Sequence, residues 1–494
     1  MLNVAAVFSD HMVLQRRMPI RVFGEADGPV RVALAGAEVE AAPGADGRFC
    51  AELPAMEASG PYTLRACCGD DARVFRDVMI GEVWLCGGQS NMEFRLRDDA
   101  HGPEQVATGD DVGLRFYTVN QEPLVDEAML ARERETQWLP LLPGDCGDVS
   151  AVAYYAGRRL REALGVPVGM LICCIGGTEI SNWMSREALA QTPGGAEMLA
   201  AHDAAVAQVT DEQFKQDEAA YAARVQAWCD VAEAMKAQSP GVRAEEIVAK
   251  AGDFPWPPPT GRWMLRRPGG PWETMVGRIA PYGARGLLWY QGETDSGNAG
   301  HYDARFARMI DAWREAFKND KLAVVTAQLP NYAADPANED WPAIRRAQQT
   351  VCDAVPNCAL ACLIDCGDSR DLHPWDKEEP GRRMADAALK LAYGLGDGAQ
   401  SPRLESVTPA DDGLLLRFTK PLGPIRGTTD SLRADGKPAR ASVTPEGALL
   451  VEAPGAKAVD YAWQNDPAAC LFGTDGLPVL PFEWESKGEL GVRS

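Results

Sequence analysis

Residues 82–92 read Glu-Val-Trp-Leu-Cys-Gly-Gly-Gln-Ser-Asn-Met, an apolar run that breaks into two glycines and a cluster of small polar residues. The run Glu82–Cys86 predicts a short buried strand. Gly87 and Gly88 permit a tight turn after it, which would lift Ser90 to the C-terminal edge of a sheet. Open α/β sheets place their sites at that edge. Taken alone, Ser90 reads more simply as a helix N-cap in a strand-to-helix turn. The lipase-type elbow Gly-x-Ser-x-Gly does not apply, because Met92 occupies its last position.

The pattern of an apolar strand followed by a polar turn recurs downstream. Further strands are expected at Leu114–Val119, Val168–Ile175, Gly286–Tyr290, Leu322–Leu329 and Cys358–Ile364. Helical faces fall between them: Ala153, Ala156, Leu160 and Leu164, then Phe306, Ile310, Trp313 and Phe317. This alternation predicts an α/β class with a parallel sheet covered on both sides. Gly176-Gly177-Thr178 directly follows one strand and Gln291-Gly292-Glu293 another. Glycine lets a backbone N–H approach a developing oxyanion, and a side-chain amide can add a donor. Each segment also has a plain structural reading, with glycines for tight turns and Glu293 as a buried carboxylate. Their weight comes from joint placement at one sheet edge.

A serine hydroxyl needs a base to become a nucleophile. The chain has five histidines: His11, His101, His202, His301 and His373. Only His373 has a carboxylate two residues before it, Asp371, and a proline directly after, Pro374. Such a carboxylate can orient one ring nitrogen while the other faces a substrate.

Outside the alternating region the period changes. Residues 1–78 carry short alternating runs separated by turn signals such as Asp27-Gly28-Pro29, which predicts a small β-sandwich. Residues 79–400 form the α/β domain. Within it, about 187–270 is a charged helical excursion that returns through the stiff run Phe254-Pro255-Trp256-Pro257-Pro258-Pro259. Trp256 and Trp263 could contact substrate, but packing on the main domain is the preferred reading. The excursion could close over the site or dock a neighbouring subunit in a homo-oligomer. Residues 401–494 return to short strands and turns, a second β domain.

Composition narrows the function. The chain has 494 residues, enough for about three domains at ~150 residues each. Lys plus Arg is 49 and Asp plus Glu is 71, a formal net charge of −22. That much acid argues against nucleic acid or an anionic membrane surface as partner. The longest apolar stretch, Val166–Ile175, is too short for a bilayer at ~20 residues. The 13 cysteines do not form a disulfide framework, and with no signal peptide legible the expectation is a reducing, cytoplasmic setting. Cys358, Cys362 and Cys366 read as strand residues rather than metal ligands. No metal or other cofactor is expected.

The blocks WLCGGQSNMEF, CCIGGTEISNW, LLWYQGETD and GDSRDLHPWDKEEPGRRMA resemble, in order, the signature blocks of the sialate O-acetylesterase family of SGNH/GDSL hydrolases. The opening FSDHMVLQRRMPIRVFGEA and the ending DYAWQNDPAACLFGTDGLPVLPF resemble that family's β domains. The resemblance implies a flavodoxin-like SGNH domain between N- and C-terminal β-sandwich-like domains, and a serine esterase acting on a small acetylated sugar or oligosaccharide. Ser90 would be the nucleophile, His373 the base and Asp371 its orienting carboxylate. Ser90, Gly177 and Gln291 would form the oxyanion hole, and water would release acetate. Gln89, Asn91, Glu293, Trp183 and Arg370 would lie at the substrate. Arg370 stands where the family often has Asn; it could touch a charged substrate group or pair with Asp368 or Asp376. The sugar could be sialic acid, with Arg95, Arg97 and Arg370 as candidate cations, or a neutral hemicellulose fragment. Two other readings compete: a non-catalytic carbohydrate-binding protein on this fold, and an SGNH lipase or thioesterase.

Overall fold

In the computed structural model, residues 1–239 and 242–486 are described. The last eight residues of the expected C-terminal β domain, 487–494, lie outside them.

A parallel sheet forms the centre. Its strands run, from one edge to the other, Leu139–Leu141, Asp111–Thr118, Val168–Cys174, Asp71–Gly88, Gly286–Tyr290, Ala323–Gln328 and Cys358–Cys362. Every neighbouring pair is parallel except the first, which is antiparallel. The strands Val168–Cys174 and Gly286–Tyr290 are buried along their whole length, as a sheet covered on both faces requires. Helices Ala151–Leu164, Tyr302–Ala316, Trp341–Ala354 and Glu378–Tyr393 cover it, each with a buried apolar face.

The strand that carries Ser90 lies between Val168–Cys174 on one side and Gly286–Tyr290 on the other. The chain crosses to one side of it first and to the other later, so its C-terminal end is a topological switch point. Gly88 pairs with Cys174 on one flank and Tyr290 on the other. Its φ is +136°, and a Cβ there would lie 2.0 Å from the Tyr290 carbonyl oxygen, so only glycine fits. The three turns that leave these strands therefore meet at one place.

Asp71–Gly88 is one unbroken strand of 18 residues. Its first half pairs antiparallel with Ser59–Cys68, in the N-terminal β region, and its second half lies in the central sheet. Residue 78, expected to end the first domain, thus falls inside a strand. The sequence pattern changes there because burial changes from one-sided to two-sided while the hydrogen bonding continues.

Residues 401–486 build two four-stranded antiparallel sheets around a second core that includes Leu416, Leu449, Val459 and Tyr461. This core extends over Cys362 and Ile364, at the edge of the central sheet. Arg345, wholly buried, ties the two together. Its guanidinium donates to the carbonyls of Leu329 (2.9 Å), Pro330 (2.6 Å), Gln464 (2.7 Å) and Asn465 (2.8 Å).

The excursion contains helices Gly195–Val206, Asp211–Gln238 and Ala244–Ala251. It docks on its own chain: Lys236 Nζ lies 3.5 Å from Asp98 and Arg370 3.4 Å from Glu245. No helix among the described residues is long and apolar enough to cross a membrane.

Candidate active site

Ser90 opens a short helix, Ser90–Glu93, directly after the central strand. Its position is clamped from both flanks. Gln89 donates its backbone N–H to the Tyr290 carbonyl, and its side-chain oxygen accepts from Gln291 Nε2 (3.2 Å) and from the N–H groups of Gly292 and Thr294 (both 3.3 Å). On the other flank Glu93 accepts the Gly176 N–H at 2.6 Å. Gly176 packs so tightly on Ser90 that a Cβ there would lie 3.2 Å from the serine Cβ. Gly177, at φ +66°, forms the turn beyond. Among the described residues, the backbone N–H groups of Ser90 and Gly177 make no hydrogen bond to other backbone groups.

The loop after Cys358–Cys362 brings in Asp371 and His373. The Asn91 amide donates to the Leu372 carbonyl at 3.1 Å, so the residue after Ser90 is bonded to the residue before His373. His373 Nε2 is enclosed and has no hydrogen-bond partner among the described residues. Burial depresses its pKa to about 4, helped by the nearby positive charges of Lys377 and Lys236. Asp371 accepts the His373 backbone N–H (2.8 Å) on one oxygen and the Trp375 indole N–H (3.3 Å) on the other. Here the carboxylate holds the loop that carries the imidazole. Burial raises the pKa of Asp371 above its ordinary value.

Beneath the serine turn lies a buried polar chain. Lys377 Nζ donates to Asn91 Oδ1 at 2.7 Å and sits 4.8 Å from the Phe94 ring centroid. Asn91 donates in turn to Glu293 Oε1 at 2.7 Å. Burial pushes Lys377 down to about 8 and raises Glu293. Asp99 accepts the Lys377 backbone N–H at 2.8 Å and the Tyr155 hydroxyl at 2.6 Å. A second buried carboxylate, Asp295, accepts the Ile180 N–H (2.9 Å) and Gln291 Nε2 (2.6 Å), and burial lifts it to about 7.

The contacts also place the remaining candidate residues. Gln89, Asn91 and Glu293, expected at the substrate, are buried, and their side chains bond to one another's loops. Trp183 is wholly buried, donates its indole N–H to Thr178 Oγ1 at 2.9 Å, and packs edge-on against Trp289. The motif around it is polar, but the indole is core. The Gln291 amide is committed to Gln89, the Thr178 carbonyl and Asp295. Arg370 is exposed, and its ion-pair partner is Glu245 rather than Asp368 or Asp376. A cavity of about 590 Å³ opens beside Asp371, lined by Arg243, Glu245, Arg370, Trp375 and Arg383 among others; neither Ser90 nor His373 lines it.

Sequence reasoning did not single out Lys377, Asp295 or Glu93. Lys377 stands four residues after His373, and Asp295 four after Gln291, so both were inside recognised blocks. Nothing in their spacing marks a buried charge.

Residues 260–390 match the family model described as carbohydrate esterase, sialic acid-specific acetylesterase. That segment holds Gln291, Asp371 and His373 and leaves Ser90 outside. The rat sialate O-acetylesterase is 25% identical over 429 residues, covering 79% of this chain and 73% of the relative. The mouse protein of that name is 26% identical over 343 residues, with 64% and 58% covered. A solved carbohydrate acetylesterase from Xanthomonas citri superposes with a TM-score of 0.75 at 25% identity, covering 98% of this chain and all of that one. The chain is thus similar to the sialate O-acetylesterases over most of its length, and its residues 260–390 match the model of the sialic acid-specific acetylesterases among carbohydrate esterases.

Proposed function

We propose that this protein is a serine esterase that removes O-acetyl groups from a carbohydrate through an acyl-enzyme. The strand order supports a flavodoxin-like SGNH core: with the edge pair Leu139–Leu141 and Asp111–Thr118 set aside, the remaining five strands follow the order 2-1-3-4-5. On this reading the core spans 79–400, between β domains at 1–78 and 401–494. One observation carries the mechanism. His373 has an enclosed Nε2 without a hydrogen-bond partner among the described residues, on a loop hydrogen-bonded to the residue beside Ser90.

In the first half-reaction Ser90 Oγ attacks the acetyl carbonyl while His373 Nε2 takes the hydroxyl proton. The carbonyl oxygen becomes an oxyanion, received by the N–H groups of Ser90 and Gly177. Gln291 acts one step removed, holding Gln89 and so the serine turn. The tetrahedral intermediate expels the sugar oxygen, which takes the proton from His373. Water then attacks acetyl-Ser90 with His373 again as base, and acetate leaves. Asp371 keeps the histidine loop in place. No metal enters these steps.

Arg95 and Arg97 pair with Asp98 and Asp148, and Arg370 with Glu245. These three arginines are paired with carboxylates, but Arg266, whose Nε donates to the Gly176 carbonyl at 2.6 Å beside Ser90, makes no ion pair among the described residues, so the sugar is either sialic acid or a neutral acetylated oligosaccharide, which the substrate panel separates. All 13 cysteines are free, in keeping with a reducing compartment.

The test is acetate release from 9-O-acetyl sialic acid, acetylated xylo-, manno- and xyloglucan-oligosaccharides and 4-nitrophenyl octanoate, with Ser90→Ala alongside. Release from an acetylated sugar, lost in the variant, is expected. Equal release by the variant would overturn the mechanism, preference for octanoate would favour a lipase, and sugar binding without turnover would favour a binding protein.

A further inference from the structure

Trp256 belongs to the Pro-rich return of the excursion, far in sequence from the catalytic blocks, yet its ring ends on the oxyanion turn. A Cβ at Gly177 would lie 2.6 Å from Trp256 Cη2 and 2.8 Å from Cζ3. Gly177 in turn follows Gly176, which rests on Ser90. Ser90, the double glycine and the indole form one continuous wall.

The ring is held rather than loose. The Arg266 guanidinium lies 5.8 Å from its centroid, and Arg266 Nε donates to the Gly176 carbonyl at 2.6 Å. The arginine thus joins the indole to the turn it covers. Even so, Trp256 remains 51% exposed, the most exposed of the large aromatic side chains. An indole fixed by a cation, seated beside a nucleophile and left half open to water has the form of a stacking platform.

We infer that Trp256 is the platform for the sugar ring that bears the ester, stacking the apolar C–H face of a pyranose so that its acetyl group reaches Ser90. This rests on the esterase reading and adds a specificity-determining residue to it. Gly177 has a double part: without a Cβ it admits the indole, and its N–H stays beside the reacting carbonyl. The ring-independent part of the reaction, at Ser90 and His373, does not involve the indole.

The experiment compares kcat/KM for the acetylated sugar of the panel above that shows the fastest Ser90-dependent release with kcat/KM for triacetin, an acetyl ester with no ring to stack. In Trp256→Ala the ratio of sugar to triacetin is expected to fall about tenfold, the effect of a stacking contact worth roughly 1.4 kcal/mol. The fall should lie mainly in KM. Trp256→Phe, which keeps a ring, should restore part of the ratio and guards against a folding artefact. An unchanged ratio, or equal loss on both esters in both variants, overturns the platform while leaving the esterase reading intact. Absence of Ser90-dependent turnover of either ester by the unaltered protein overturns both.

Discussion

Replacing His373 with Gln removes a group that the fold keeps neutral, and the consequence for stability can be worked out. In the unfolded chain the imidazole titrates near 6.5; in the fold, burial beside Lys377 brings it to about 4. Between those values the unfolded chain holds a proton that the folded chain does not. Stability must therefore fall as pH drops from 6.5 to about 4, and level off below. At about 1.4 kcal/mol for each pH unit, the loss reaches about 3 kcal/mol. Asp295, Glu293 and Asp371 act in the opposite sense. Their carboxyls titrate higher in the fold than in the unfolded chain, so acid favours the fold through them. A single melting curve would mix these contributions, whereas the difference between the protein and His373→Gln removes what the two share. The assay is thermal unfolding of both proteins at pH 7, 6, 5 and 4. For an unfolding unit of about 300 residues, 3 kcal/mol corresponds to about 5 °C. The melting temperature of the unaltered protein should drop by about that much relative to the variant between pH 7 and 4. A constant gap, or a variant that loses more, would refute the picture of a histidine buried neutral.

Lys377→Met removes the buried cation that helps hold His373 neutral, so the acid limb of kcat/KM should move upward, toward 6.5; a profile that stays in place would show that burial alone sets the histidine. Arg345→Met leaves four carbonyls at the junction with the C-terminal β region without their donor. It should cost on the order of 4 kcal/mol in unfolding free energy, read as a lowered melting temperature, and an unchanged midpoint would refute its role as a tie.

Much of the central sheet was legible because its strands are short apolar runs bounded by glycine or proline. Gly286–Tyr290 matches its expected limits residue for residue, and the other five overlap theirs. The domain limit at 78 was less legible. Hydropathy reports which faces are buried, and in Asp71–Gly88 that changes partway along a single hydrogen-bonded strand. The site divides in the same way. Ser90 and His373 were visible as a serine after a glycine turn and a histidine beside a carboxylate. That Asn91 and Trp183 turn inward was not legible, because a polar motif does not say which of its side chains are buried, whereas Glu293 is buried as its structural reading has it. Trp256 was read as packing, and it does pack, on Gly177; that its ring also stays open depends on where the excursion docks. Lys377 and Asp295 were silent, since a charge becomes buried through contacts hundreds of residues away, such as Lys377 on Asn91.

The central claim is that acetyl passes through Ser90. It is tested most directly by mixing the protein with excess acetylated xylo-oligosaccharide, quenching in acid within the first turnover, and mapping acetyl groups by peptide mass spectrometry. The account predicts acetyl on the peptide containing Ser90, absent in Ser90→Ala together with acetate release. Sustained acetate release with no acetyl on Ser90, undiminished in Ser90→Ala, would contradict it.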